Sequence, residues 1–104
     1  MFSGIPPTYA GANYNTIASD AQKLIVNWSS GAIAVGISGS IYPVGTVISL
    51  FAYSGYIALS NNQTMMWLAP GGATTGNRQL AQYGVATAVK WETNNWVISG
   101  NGLT

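Results

Sequence analysis

The side chains that could act as acids or bases are few in this sequence. Asp20 and Glu92 are its only carboxylates, and it has no histidine and no cysteine. A glycosidase could use two carboxyl groups held about 5 to 9.5 Å apart. In the alternative, structural interpretation, Asp20 caps a short turn and Glu92 lies at a hairpin end beside Lys90. Because two isolated carboxylates rarely form a site, we expect no catalytic residue and no enzyme activity.

Nucleophilic and metal-assisted chemistry lack their usual partners as well. A serine nucleophile needs a base, and without histidine only Lys23 and Lys90 remain as weak candidates. A cysteine–histidine zinc site is impossible with this composition. Calcium would require several clustered acidic ligands, which the sequence does not contain. We therefore predict no metal and no cofactor.

One glycine-rich segment resembles a phosphate-binding loop only in part. Residues 71 to 78 read Gly-Gly-Ala-Thr-Thr-Gly-Asn-Arg. They have the glycine spacing of such a loop but lack the lysine and the serine or threonine that complete it, and no helix pattern follows. We interpret this segment as a flexible surface loop.

The scarcity of charge is the most unusual feature of the composition. Charged residues make up 5% of the chain, and none lies between Leu24 and Asn77, whereas ordinary domains carry about 25%. The 48% hydrophobic content argues against disorder. A net charge of +1 favours a protein that sits in an assembly over a free monomer. It also argues against nucleic-acid binding, which needs clustered lysine and arginine.

A membrane location is disfavoured for a different reason. Residues 41 to 59 are uncharged and long enough to raise the question of a spanning helix. They contain Pro43, Gly45 and Gly55 among residue types that favour strands. The chain starts without a basic segment or an apolar run, so we expect no signal peptide. We expect no membrane partner.

The first sixteen residues form a segment of their own. Residues 1 to 16 are rich in turn formers, and Pro6-Pro7 imposes an extended path. We predict an extended N-terminal arm whose apolar side chains bind a partner. The residues assigned to this role are Phe2, Ile5, Pro6, Pro7, Tyr9 and Tyr14.

The remainder, residues 17 to 104, is predicted to be a single β-domain. About seven short strands are expected, at residues 22–28, 32–37, 45–53, 56–60, 64–69, 84–91 and 96–99. Gly, Asn and Ser turns separate them, with a hairpin expected at residues 29 to 31 and one short helical turn within residues 19 to 24. Regularly spaced short strands of this kind predict an all-β fold, an antiparallel β-sandwich or small barrel.

Four tryptophans are the main candidates for a contact surface. An exposed tryptophan offers a flat apolar face on which a sugar ring can stack. Burial in the core or at a contact between subunits is the more common fate of large aromatic residues, and we favour it. The possible aromatic contact surface consists of Trp28, Trp67, Trp91 and Trp96.

The order of several short motifs resembles a short β-rich module of tailed-phage tail fibres and small virion structural proteins. The resemblance covers about residues 14 to 104 and includes no catalytic signature. The end of the chain departs from it, since Gly100-Asn101-Gly102-Leu103 stands where related modules often have Gly-Asp-Leu. The motifs that carry the resemblance are Ser19-Asp20-Ala21 with Lys23-Leu24-Ile25, Tyr42-Pro43-Val44-Gly45-Thr46 with Ile48, Arg78, Tyr83, Val85-Ala86-Thr87 with Lys90, and Trp96 with Gly100.

The resemblance implies a virion component. Because the sequence has no stalk, we expect a capsid decoration (cement) protein on the outer surface of the capsid. Its partners would be the major capsid protein and neighbouring copies of itself, with a homotrimer favoured, and the arm could add a strand to a neighbour's sheet. The alternative is a tail-fibre or tail-tip module that recognises a host surface glycan. A secreted lectin-like domain is disfavoured because the sequence has no disulfide and no expected signal.

Overall fold

The computed structural model describes residues 6 to 69 and 71 to 104, and they confirm the all-β prediction. The regular structure is almost entirely strand, with 3-10 turns at Ala18–Asp20 and Gly39–Ile41. Within the described part of the chain, no helix is long and apolar enough to cross a membrane. The strands are β1 Thr8–Ala10, β2 Tyr14–Asn15, β3 Leu24–Asn27, β4 Ile33–Ile37, β5 Val47–Phe51, β6 Ile57–Asn61, β7 Thr64–Ala69, β8 Gly72–Thr75, β9 Arg78–Glu92 and β10 Asn95–Leu103.

The strands form two layers that share one long strand. The first layer has the order β1-β3-β5-β9-β10-β7-β8, and the second contains β2, β4 and β6. The start of β9 pairs with β6, whereas its later residues, Val85 to Val89, pair with β5. Between these two parts, Tyr83 adopts a φ of 68°. This left-handed residue marks the point where β9 passes from one layer to the other.

The core lies between the two layers. Ile25 and Leu50 point into it from the first layer, and Val35 and Leu59 from the second, each no more than 2% exposed. Trp96 is fully buried and is the largest side chain there. Its indole N–H donates a hydrogen bond of 2.9 Å to the side-chain oxygen of Gln63, which satisfies its one polar group.

The sheet is mixed, which differs from the antiparallel arrangement expected. Five strand pairs are parallel and four are antiparallel. The hairpin predicted at residues 29 to 31 is absent, because β3 pairs with β5 and β4 pairs with β6, so this segment connects the two layers. The alternation of apolar and polar side chains indicates which face of a sheet each residue lies on, but it does not indicate strand direction. The sequence pattern therefore could not show that residues 29 to 31 connect the two layers.

Two segments predicted to be irregular form strands, so residues 6 to 69 and 71 to 104 contain ten strands where about seven were expected. In the predicted arm, β1 pairs with β3 and β2 pairs with β4 of the same chain. In the glycine-rich segment, β8 pairs with β7. All four residues of β8 are exposed, so burial imposes no alternation of polar and apolar residues that a sequence pattern could show.

Candidate binding surface

Successive side chains of a strand point to opposite faces, so the first layer has a second face that points away from the core. We call it the outer face. The strand register places its residues in rows, for example Val26 beside Phe51 and Phe51 beside Val85. The outer face consists of Tyr9, Leu24, Val26, Trp28, Val47, Ser49, Phe51, Tyr53, Thr64, Met66, Leu68, Ala73, Thr75, Val85, Thr87, Val89, Trp91, Asn95, Val97, Ser99 and Asn101, with Glu92 at its edge.

An aromatic cluster occupies one end of the outer face. Trp28 stacks on Tyr53, with ring centroids 5.5 Å apart and planes inclined by 23°. Tyr9 approaches Trp28 edge-on at 5.6 Å, and Phe51 lies 5.7 Å from Tyr53. Trp28 is 60% exposed and Tyr9 62%. The cluster is therefore ordered by contacts among its own rings while much of its apolar surface faces solvent.

The opposite end of the outer face carries a second exposed tryptophan. Trp91 is 50% exposed at the far end of β9, and Val85 in the same strand is also 50% exposed. Val89 and Val97, neighbours in the register, are half-buried. The surface between the two aromatic ends is thus made largely of β-branched side chains, the type that packs well against another sheet.

Of the chain's five charged residues, only Glu92 reaches the outer face, at its edge beside Trp91. Asp20 and Lys90 are buried. Arg78 lies in the other half of β9, where its guanidinium is 5.6 Å from the centre of the Trp67 ring. Lys23 precedes Leu24 and takes the opposite parity. Glu92 lies in a β-bulge opposite Asn95, whose side chain donates a hydrogen bond to it, so the Glu92 carboxylate lies at the edge of the outer face. A surface of this kind favours a partner without charge, since a charged group brought against it would lose water without gaining an ion pair.

A buried asparagine shapes the corner that supports the aromatic cluster. Asn27 is fully buried, and its side-chain amide donates hydrogen bonds of 3.0 Å to the carbonyls of both Gly31 and Gly55. Its side-chain oxygen accepts a bond of 2.9 Å from the backbone N–H of Ser29. A Cβ at Gly55 would lie 2.4 Å from the Gly31 carbonyl oxygen, so only glycine permits this approach. These contacts fix the chain immediately after both Trp28 and Tyr53.

Asp20 fixes the position of the N-terminal segment by hydrogen bonds, as Asn27 does for the corner. Its carboxylate, 1% exposed, accepts hydrogen bonds from Thr8 Oγ1 at 2.7 Å, from the Tyr14 hydroxyl at 2.5 Å and from the backbone N–H of Ile17 at 3.0 Å. Burial, with the hydrogen bond and the negative charge of Asp20, raises the pKa of Tyr14 to about 12. The carboxylate therefore ties β1, β2 and the following turn together.

Two further candidates for acid–base chemistry, Lys90 and Glu92, also have structural contacts. Lys90 Nζ is buried and donates to the carbonyls of Gly39 at 3.0 Å and Tyr42 at 2.7 Å. Glu92, at the end of β9, accepts a hydrogen bond from the Asn95 side chain. Within the described residues, no group of three or more histidine, cysteine, aspartate or glutamate side chains could hold a metal ion.

The four tryptophans predicted to form a contact surface lie in two different environments. Trp28 and Trp91 lie on the outer face, whereas Trp96 is in the core and Trp67 is partly buried against it. The four therefore do not form one surface, and Tyr53 completes the cluster that the sequence analysis assigned to tryptophan alone. Alternation within residues 45 to 53 could have identified Tyr53, because it follows Phe51 on the same face.

The predicted partner-binding residues of the arm are also dispersed. Tyr9 joins the aromatic cluster, and the Tyr14 hydroxyl binds Asp20. Pro6 is exposed and Pro7 half-buried. Phe2 and Ile5 lie outside the described residues.

One open cavity lies on the second layer. It has a volume of about 480 Å³, and its lining includes Ser60, Asn77 and Arg78. Arg78 already donates to the carbonyls of Thr75, at 2.9 Å, and Gly76, at 3.2 Å. Because these bonds already engage much of the Arg78 guanidinium, the cavity offers a ligand little beyond ordinary polar contacts.

Comparisons with protein-family models, with curated proteins and with solved structures find no match for this chain.

Proposed function

We propose that this protein is a non-enzymatic structural component of a tailed-phage virion, a capsid decoration protein that binds the major capsid protein and neighbouring copies of itself. The observation that carries the proposal is the outer face, a layer made mainly of valine and aromatic side chains with a single charged residue, Glu92, at its edge, over which no other layer of the described residues packs. Monomeric soluble proteins seldom expose continuous apolar surfaces of this kind, which mark interaction sites.

The contacts of the ionisable groups support a structural role over a catalytic one. A general acid or base must reach a substrate with a hydrogen-bonding atom. The Asp20 carboxylate already accepts three hydrogen bonds inside the protein, and the Lys90 ammonium binds two backbone carbonyls. Both groups stabilise the positions of loops and strands. The virion assignment itself comes from the resemblance of the sequence motifs to phage structural modules.

Binding to particles tests this function directly. Particles assembled without this chain would be mixed with the purified protein, separated from free protein and analysed for bound chain. We expect saturable binding at a ratio close to that of capsid subunits. Absence of binding to such particles, with the protein shown to be folded, would contradict the decoration role.

A second candidate is a tail module that recognises a host surface glycan, and the aromatic cluster is the observation that favours it. Trp28 is well exposed next to Tyr9 and Tyr53, and Ser29 and Ser30 follow it along the chain. A sugar ring can stack on the flat face of an aromatic ring, and neighbouring hydroxyl groups can form hydrogen bonds with the sugar. Host polysaccharide should then quench tryptophan fluorescence in the native protein but not in a Trp28→Phe variant. Equal quenching of both proteins, or none, would argue against this candidate.

A further inference from the structure

We propose that the partner covering the outer face is a second copy of this chain, so that two first layers pack face to face in a homodimer and not in the homotrimer expected from the sequence. The inference rests on the proposed function, which makes the outer face a binding surface, and it names the occupant of that surface. Capsid protein would then bind other parts of the molecule.

The first argument is charge. The outer face carries no charged side chain except Glu92 at its edge, and the polar residues in its central rows are Ser49, Thr87, Ser99 and Asn101, all small and neutral. A complementary partner must itself present an uncharged face, because an unpaired charge buried against this surface would be strongly unfavourable. The same face on a second copy meets this requirement by construction.

The second argument is shape. Two sheets pack face to face when their twists match, with the strand directions within about 30° of each other. A second copy has the same twist and the same pattern of rows. Such a pair is isologous, meaning that both copies use the same patch. The row through Ser49 and Thr87 lies midway between the aromatic cluster and Trp91, so it lies near the centre of the contact. Ser49 is itself buried, and the half-buried Thr87 is the member of this row that a partner can reach.

The exposed residues of β9 provide a matched test in the full-length protein. Val85 lies on the outer face and Gln79 in the other half of β9, and both are exposed. Val85→Lys therefore places a charge on the proposed interface, while Gln79→Lys places the same charge elsewhere on the same strand. Neither change affects the core, and circular dichroism would verify that both variants fold.

Sedimentation measures the outcome. We expect the wild-type protein and Gln79→Lys to have twice the 10.9 kDa mass of one chain. Val85→Lys should raise the dissociation constant at least about tenfold, because each copy would bury an unpaired charge. A monomeric wild-type protein, or a dimer that both variants weaken equally, would overturn the inference.

A chemical probe tests the same contact independently. The chain contains no cysteine, so a single introduced thiol reports its own surroundings. Packed sheets lie about 10 Å apart, and a bifunctional thiol reagent of that reach should therefore link two Thr87→Cys chains but not two Gln79→Cys chains. Equal linking of both variants would contradict the face-to-face pair.

Failure of this inference can be distinguished from failure of the proposed function. A dimer that does not bind particles would leave this inference intact and overturn the proposed function. A monomer that binds particles would overturn this inference and leave the proposed function intact.

Discussion

Trp28 and Tyr53 stack on each other on the outer face, with ring centroids 5.5 Å apart. They lie just beyond the ends of β3 and β5, two parallel neighbours in the sheet that are separated in sequence by the whole of β4. Parallel pairing brings the ends of both strands to the same edge of the layer. The stack is therefore a consequence of the crossing between layers that Asn27 supports.

Truncation of Trp28 and of Trp96 should have different consequences. Trp96→Ala should lower the free energy of unfolding by about 3 to 5 kcal/mol, because it empties a fully buried site. Trp28→Ala should cost only about 1 kcal/mol, mainly from the lost ring contacts, while weakening self-association. Chemical denaturation and sedimentation of both variants provide the measurements. If Trp28→Ala destabilised the fold as much as Trp96→Ala, the cluster would be part of the core and not a binding surface.

Removal of the Asn27 side chain should loosen the corner below the aromatic cluster. Asn27→Ala leaves the buried carbonyl of Gly55 without its donor, at a cost of about 1 to 3 kcal/mol, and also removes the bond to the exposed Gly31. Asn77→Ala, at an exposed position, is the control and should change the free energy of unfolding by less than about 0.5 kcal/mol. Similar stability of both variants in urea would show that the corner does not depend on Asn27.

The sequence predicted the all-β class correctly because burial alternates along Ile33, Val35 and Ile37 and along the later part of β9. Pairing partners were not predictable in the same way. Strand direction depends on where each connection leads, and the Ser29-Ser30-Gly31 turn would suit a hairpin as well as the observed passage between layers.

The same limit applied to the binding surface. Trp28 and Trp91 were identified among the tryptophans by residue type, but the face they share becomes visible only through the register of β3, β5 and β9. Trp96 also follows an alternating strand pattern, and nothing in the sequence distinguishes its inward direction from the outward direction of Trp91. Assignment of a face requires the sheet to be assembled.

The hydrogen bond from Tyr14 to Asp20 should make stability depend on alkaline pH. The folded-state pKa of Tyr14, about 12, lies above its ordinary value of 10.0, so folding favours the neutral hydroxyl. Its contribution is fully present below pH 10 and is lost as the pH rises towards 12. Near neutral pH, Tyr14→Phe should lower the free energy of unfolding by about 1 to 3 kcal/mol.

This difference between the wild-type protein and Tyr14→Phe should shrink as the pH increases above 10. Denaturation curves for both proteins at several pH values provide the test, with Tyr56→Phe, an exposed tyrosine, as the control. A constant difference across this range would show that ionisation of Tyr14 is not linked to folding.

The exposed carboxylate offers a test of the non-enzymatic assignment. Glu92→Gln retains the size of the side chain and its ability to accept a hydrogen bond from Asn95, so we expect unchanged stability and unchanged binding to particles. Asp20→Asn is unsuitable as a single test, because its NH2 group would face either Thr8 or both Tyr14 and the backbone N–H of Ile17, which now donate to the carboxylate, and would unsettle the fold. Loss of biological activity in folded Glu92→Gln protein would contradict the structural role.

The copy number of this chain in purified virions tests the central proposal most directly. Particles produced from the genome that encodes the chain would be purified on a density gradient, and the chain would be quantified by mass spectrometry against the major capsid protein. A capsid decoration protein that covers the lattice should be present in hundreds of copies per particle. Its absence, or a handful of copies typical of a tail component, would contradict the decoration role.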